Sequence, residues 1–121
     1  MIHDIPFYHR DIRWNNVIHR IDDLTKWFLI DWEDAASPPT MTQNDFRRSS
    51  HSPAIFQDHH GAEVDIWAVG HLITTCKAHV FENLKLLGYR LCVESATLTA
   101  CDVHQLLAET LTPLQHLDFH S

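Results

Sequence analysis

The sequence has no surplus of positive charge: nine Lys and Arg stand against sixteen Asp and Glu, a formal net charge of −7. A broad grip on nucleic acid or on an anionic membrane needs the opposite balance, because it works by displacing counterions with Lys and Arg. The eleven histidines offset the deficit only below about pH 6.5. Cysteine is scarce as well. Cys76, Cys92 and Cys101 are odd in number and lack C-x-x-C spacing. That speaks against a disulfide framework or a zinc ribbon, and for small buried thiols in a reducing compartment. The longest apolar stretches, near 27–30 and 66–73, fall far short of the ~20 residues that cross a bilayer. The N-terminus has no basic-then-apolar leader pattern, so the expected location is the cytosol or nucleus. No internal repeat is visible.

What is there is the balance of a globular domain, 45% apolar and 21% charged in 121 residues, enough for one domain with a real core. Three zones divide 1–121. In 7–30, the β-like runs Asn16–Ile21 and Lys26–Ile30 flank an Asp22-Asp23 turn signal and predict a hairpin. In 31–61, Ser37-Pro38-Pro39-Thr40, Asn44-Asp45, Arg47-Arg48-Ser49-Ser50 and Ser52-Pro53 predict a long loop, which in a compact domain is usually functional.

From 62 to 113 the pattern is helical. Ala62–Cys76 is apolar on nearly every side and belongs in the middle of a core, so its one embedded charge, Asp65, needs a partner. Phe81–Val93 has Leu84, Leu87 and Leu91 at helical spacing, with Gly88 a point of interruption. A last helix is expected from Thr99, where Thr99-Ala100-Cys101-Asp102 reads as a capping box, until Pro113. The fold class is therefore mainly α with a small β-hairpin.

The chemistry lies in His9-Arg10-Asp11-Ile12-Arg13-Trp14-Asn15-Asn16 and, beyond the hairpin, Leu29-Ile30-Asp31-Trp32-Glu33. A loop and hairpin can fold Asp11, Asn16 and Asp31 toward one cleft. An Asn amide and an Asp carboxylate suit Mg²⁺, which keeps several waters and takes further ligands from phosphates. Asp11 is then left to orient or deprotonate a hydroxyl nucleophile.

This arrangement resembles the protein-kinase superfamily. H-R-D-x-x-x-x-N, from His9 to Asn16, matches the catalytic loop in full, and Asp31 sits where the D-F-G aspartate stands. Ser52-Pro53-Ala54 is similar to A-P-E, and Asp65-Ile66-Trp67-Ala68-Val69-Gly70 to the D-x-W-S-x-G start of the buried helix of the C-terminal lobe. The resemblance implies a kinase-like C-terminal lobe, with 7–30 as catalytic loop and hairpin, 31–61 as activation segment and 62–113 as helical subdomain. It implies Asp11 as catalytic base, Arg13 on the transferred phosphate, and Asn16 and Asp31 as holders of Mg²⁺ and ATP. Structural support falls to His9, to Arg10 as reader of a phosphate on the activation segment, and to Asp65, whose partner would be the backbone of the His9-Arg10 turn.

Several features depart from the family. Trp32-Glu33 replaces Phe-Gly, and Ile30-Asp31-Trp32-Glu33-Asp34-Ala35 is similar to the I-D-W-E-x-A of aminoglycoside and choline phosphotransferases, the small-molecule branch of the fold. Ala54 replaces the A-P-E glutamate, and the arginine that would pair with it near Thr97 is missing too, so no unpaired buried charge is left. Nothing resembles the glycine-rich loop or the V-A-I-K lysine, which leads to the expectation of a lobe without its ATP-covering partner lobe and of feeble activity at best. Two functions follow as expectations: phosphoryl transfer to a protein Ser/Thr hydroxyl, or a non-catalytic scaffold that binds a partner protein. Exposed apolar surface on such a lobe further suggests homo-oligomers. Trp14, Trp27, Trp32 and Trp67 are expected to fill core, and His51, His59, His60 and His71 to have surface or satisfied-core roles. Thr40, Thr42, Ser49, Ser50 and Ser52 are the hydroxyls that phosphorylation could reach beside Arg10.

Overall fold

The structure is a computed structural model that describes residues 7–23, 26–42 and 46–120, with side chains described as far as residue 111. The Asn44-Asp45 turn signal lies outside the described residues. Strands β1 (Val17–His19) and β2 (Trp27–Leu29) pair antiparallel, with Val17 opposite Leu29, Ile18 opposite Phe28 and His19 opposite Trp27. Three helices follow: α1 (Glu63–Thr74), α2 (Glu82–Val93) and α3 (Ala100–His120). The architecture is mainly α with a small two-stranded sheet.

β-branched and aromatic residues favour the extended backbone of the hairpin. The regular strands are shorter than the sequence suggests, but single backbone bonds extend the pairing at both ends. Arg20 N–H donates to Lys26 O at 3.0 Å, and Ile30 N–H donates to Asn16 O at 2.8 Å. That second bond sets the start of the Asp31 segment against the end of the His9–Asn16 loop. An isolated bridge between Tyr8 and Ala36 ties the entry of the loop to the long segment after the hairpin. Its described residues are irregular apart from one 3₁₀ turn, Pro53–Phe56, capped by Ser52 Oγ accepting from Ala54 N–H at 3.2 Å.

No residue of α1 is exposed, so the helix occupies the middle of the fold as its all-round apolar character requires. Ile66, Leu87, Leu91 and Val103, one or two from each helix, form the core, and Val69, Ile73, Leu98, Leu106 and Leu107 pack against it. The axes of α1 and α2 come very close at Gly70 and Gly88. A Cβ on Gly70 would stand 2.5 Å from Gly88 O, and one on Gly88 would stand 2.8 Å from Ile73 Cγ2. Gly88 therefore does not interrupt α2; it is the residue that permits the crossing, and the close helix packing it allows outweighs its poor helix propensity.

The capping box of α3 forms with an aspartate in the usual glutamate role. Asp102 N–H donates to Thr99 Oγ1 at 3.1 Å and Thr99 N–H donates to Asp102 Oδ2 at 2.9 Å. The helix does not stop at Pro113 but continues to His120, since a proline removes only its own N–H bond and the turns on either side can close without it. Two further expectations fail. Trp14, Trp27 and Trp32 are about half exposed rather than core, because each docks only one edge: Trp14 Nε1 donates to Leu72 O, Trp32 Nε1 to Leu29 O, and Trp27 packs its ring against His19. The thiols are not buried either: Cys101 is exposed, and Cys76 and Cys92 are only partly covered. No described helix is long and apolar enough to cross a membrane.

Candidate active site

The site begins with the one acid embedded in the apolar body of α1. The Asp65 carboxylate accepts the backbone N–H of His9 at Oδ2 and of Arg10 at Oδ1, both at 2.8 Å. These are charge-assisted bonds across more than fifty residues of sequence, and they fasten the loop onto the central helix. Arg10 is held at φ 71°, a left-handed conformation that a non-glycine residue keeps only where its surroundings insist. Burial pushes the Asp65 carboxyl above its ordinary value, and the two N–H donors with nearby His9 and Arg10 pull it partly back.

Beyond that turn the polar side chains are shut away from water and bonded to one another. His9, Asp11 and Asn16 are each 5% exposed or less. Asp11 N–H donates to His9 Nδ1 at 3.0 Å, so the ring proton must sit on Nε2, which then donates to Ile30 O at 2.9 Å. His9 therefore joins the catalytic-type loop to the strand end that carries Asp31. Its ring also meets Trp32 edge-on, with centroids 4.5 Å apart. Asn16 Nδ2 donates to Asp11 O at 2.9 Å and to Asp11 Oδ2 at 3.1 Å, which turns its Oδ1 away from the aspartate.

The other oxygen of Asp11 meets a residue that no motif marks. His51 Nε2 lies 2.7 Å from Asp11 Oδ1, and both side chains are almost fully buried. His51 Nδ1 faces Arg47 O and Ser50 Oγ, and its ring stacks on Phe46 at 4.2 Å. The long segment after the hairpin thus folds back to cap the candidate base. Spacing cannot signal this contact, because His51 is forty positions from Asp11 and belongs to no repeat or pattern. Arg13 Nε stands 3.2 Å from Asp11 Oδ1 but off the hydrogen-bond axis, and this nitrogen has no hydrogen-bond partner among the described residues.

Arg10, expected among the supporting residues, is tied to the long segment after the hairpin. Its guanidinium is buried, donating to Asp34 O at 2.6 Å and Met41 O at 3.2 Å and meeting His60 Nε2 at 3.3 Å. Two backbone carbonyls and a histidine are the partners of its guanidinium among the described residues. Two of the five candidate hydroxyls are structural as well: Thr40 is buried with its Oγ1 donating to His60 O, and Ser52 is buried as the cap of the 3₁₀ turn. Ser49 is exposed and Ser50 is partly so.

Asp31 lies at the surface, at φ 63°, in the left-handed region that Asp and Asn tolerate better than most. Its carboxylate has no hydrogen-bond or ion-pair partner among the described residues. A Mg²⁺ ion needs hard oxygen donors and accepts a site with few protein ligands. Asn16 Oδ1, on the side of the buried amide away from Asp11, and the unengaged Asp31 carboxylate, on the segment that the Ile30–Asn16 backbone bond joins to it, are oxygen donors of that kind. Among the described residues there is no group of three or more His, Cys, Asp or Glu side chains that would hold a metal unaided.

No family model matches the sequence, and no solved structure matches it. Over 81 residues the chain is 42% identical to Crinkler effector protein 8 of Phytophthora infestans, an alignment that covers 64% of this chain and 13% of that protein. The match therefore concerns a small part of the curated relative.

Proposed function

We propose that this chain carries the base and the metal ligands of an ATP-dependent phosphotransferase of the protein-kinase type, acting on a protein Ser/Thr hydroxyl. The observation that supports it most is the Asp65 carboxylate on the N–H groups of His9 and Arg10, which fastens a loop presenting Asp11 and Asn16 beside Asp31. Structural ties of this kind are costly to build from buried polar groups and are kept where a fixed geometry is needed.

In this reading Asp11 orients the acceptor hydroxyl and takes its proton as the oxygen attacks. Because Oδ1 faces His51 and Oδ2 faces Asn16, the hydroxyl has full access only when the His51 contact opens. Asn16 and Asp31 would hold Mg²⁺, which would neutralise the charge of the phosphoryl group that ATP would supply. Arg13, on the solvent side of Asp11, would steady that group's oxygens. The chain would work in the cytosol or nucleus on a protein substrate, without nucleic acid or membrane as a partner.

A second reading has its own observation. Phe7, Ile18, Trp27, Phe28 and Trp32 are large apolar side chains left about half exposed or more around the hairpin. A surface of that kind suits a non-catalytic scaffold that docks a partner protein or a second copy of the chain. The small-molecule branch would use the same Asp11, Asn16 and Asp31 and differ only in the acceptor hydroxyl.

The test is the thermal melt of the chain with and without Mg²⁺ and ATP, beside Asp31→Asn, a control that tolerates the same backbone conformation. ATP with Mg²⁺ at about a hundred times its Kd should stabilise by about 2.7 kcal/mol and raise Tm by several degrees, and Asp31→Asn should abolish the shift. A cooperative melt indifferent to ATP overturns the phosphotransferase reading and leaves the scaffold.

A further inference from the structure

Beside Asp11 lies a cleft of about 260 Å³, lined by Arg13, Arg47, Ser49, Ser50, His71 and Thr75 among others. Its walls come from the catalytic-type loop, the long segment and the C-terminal turn of α1, so no single motif describes it. We propose that this cleft is a subsite for an anionic side chain of a peptide, a carboxylate or a phosphate, seated next to the acceptor hydroxyl. The inference deepens the phosphotransferase reading by giving its substrate a class, and it rests on that reading only for the word substrate.

Local charge runs against the overall charge here. The chain as a whole carries −7, yet none of the described residues lining this cleft is acidic, and two of its six arginines face it. Arg47 is exposed and its guanidinium has no carboxylate partner among the described residues. Arg13 Nε stands 3.2 Å from Asp11 Oδ1 as an ion pair but makes no hydrogen bond among the described residues. Arg13 is already paired with the Asp11 carboxylate, so Arg47 is the cation left without a counter-charge among the described residues, and an incoming anion would take the paired N–H donors that its guanidinium presents. The carbonyl end of α1 would ordinarily oppose an anion here. It is already occupied: His71 O accepts Thr75 N–H and both Thr74 and Thr75 Oγ1, and Leu72 O accepts Trp14 Nε1. With Asp11 balanced by Arg13, the exposed Arg47 is left to meet an anion in the cleft. The volume suits one side chain and a few waters rather than a nucleotide.

The test measures binding, so it does not require turnover. Fluorescein-labelled peptides that share a central serine, flanked by glutamates, by lysines or by a phosphoserine among alanines, are titrated with the 121-residue chain by anisotropy. The glutamate and phosphoserine peptides should bind at least about tenfold more tightly than the lysine peptide, the size expected of a charge-assisted contact partly open to solvent. The stronger of the two names the anion. Arg47→Glu should reverse the order, and Arg47→Gln, which removes charge without adding any, should shrink the preference to about the level of noise. A lysine peptide that binds as well as the others overturns the inference, as does an acid preference that survives both Arg47 variants with melts unchanged. Acid selection by a chain that transfers no phosphoryl group overturns the enzyme reading alone and leaves the subsite standing.

Discussion

The loop at 9–16 and the hairpin at 17–29 are consecutive in sequence and opposite in character. The loop is polar and closed: His9 is 2% exposed and Asp11 3%, and their bonds run to Asp65, Ile30, Asn16 and His51. The hairpin is apolar and open, with Trp27 58% and Phe28 49% exposed and neither strand covered by a third among the described residues. A buried polar group tolerates very few arrangements, because each unmade bond costs about 1–3 kcal/mol, so the loop has one geometry. An exposed apolar side chain constrains almost nothing. Precision in this molecule is therefore placed in the polar loop and is borrowed from α1, while the hairpin's apolar residues serve chiefly as a rail that carries Asp31 to the loop.

The contrast can be broken at its anchor. Asp65→Ala leaves two buried N–H groups without an acceptor and should cost about 3 kcal/mol in urea unfolding. Asp65→Asn keeps one acceptor and should cost less. The pH dependence has a definite sign. Because burial raises the folded-state value of Asp65 above the ordinary 3.8, this group's contribution is fully present below that ordinary value and is lost as pH rises through the folded-state value. Melts across that acidic interval should show the decline in the unmutated chain and a flatter profile for Asp65→Asn.

At the junction between the two regions, Asp31→Gly should stabilise the chain by about 0.5–1 kcal/mol by relieving a positive φ, while removing the carboxylate on which the proposed Mg²⁺ site would depend. A rise in Tm together with a lost ATP shift would sharpen the view that strain there serves the site. The smallest effect belongs to the hairpin: Phe28→Thr exchanges a half-exposed ring for a residue of high strand preference and should stay within about 0.5 kcal/mol. A loss above ~2 kcal/mol would mean that the hairpin contributes to the core.

Much of the fold was legible from local pattern. The β-like run at 16–21, the all-round apolar stretch at 62–76, the leucine spacing at 84–91 and the Thr99–Asp102 capping box each mark an element, since each depends on neighbours within a few residues. The exceptions turn on contacts that no local pattern carries. Gly88 reads as a break and is a crossing point, because the decisive contact is with Gly70 and Ile73 on another helix. Trp14, Trp27 and Trp32 read as core, yet hydrophobicity does not say which surface is available to cover them.

The candidate site divides in the same way. The order of Asp11, Asn16 and Asp31, the lone acid in an apolar helix and the oxygen donors that suit Mg²⁺ are properties of the sequence by itself, because residue type and spacing set what each side chain can donate, accept or coordinate. Only the tertiary structure decided that His51 caps Asp11, that Arg10 is satisfied by Asp34 O and Met41 O, and that Arg13 and Arg47 meet across one cleft. Those contacts join residues 24 to 40 positions apart through an irregular segment that has no periodicity of its own. Where such a segment comes to rest is fixed by the sum of many weak contacts around α1, and no short stretch of sequence carries that sum.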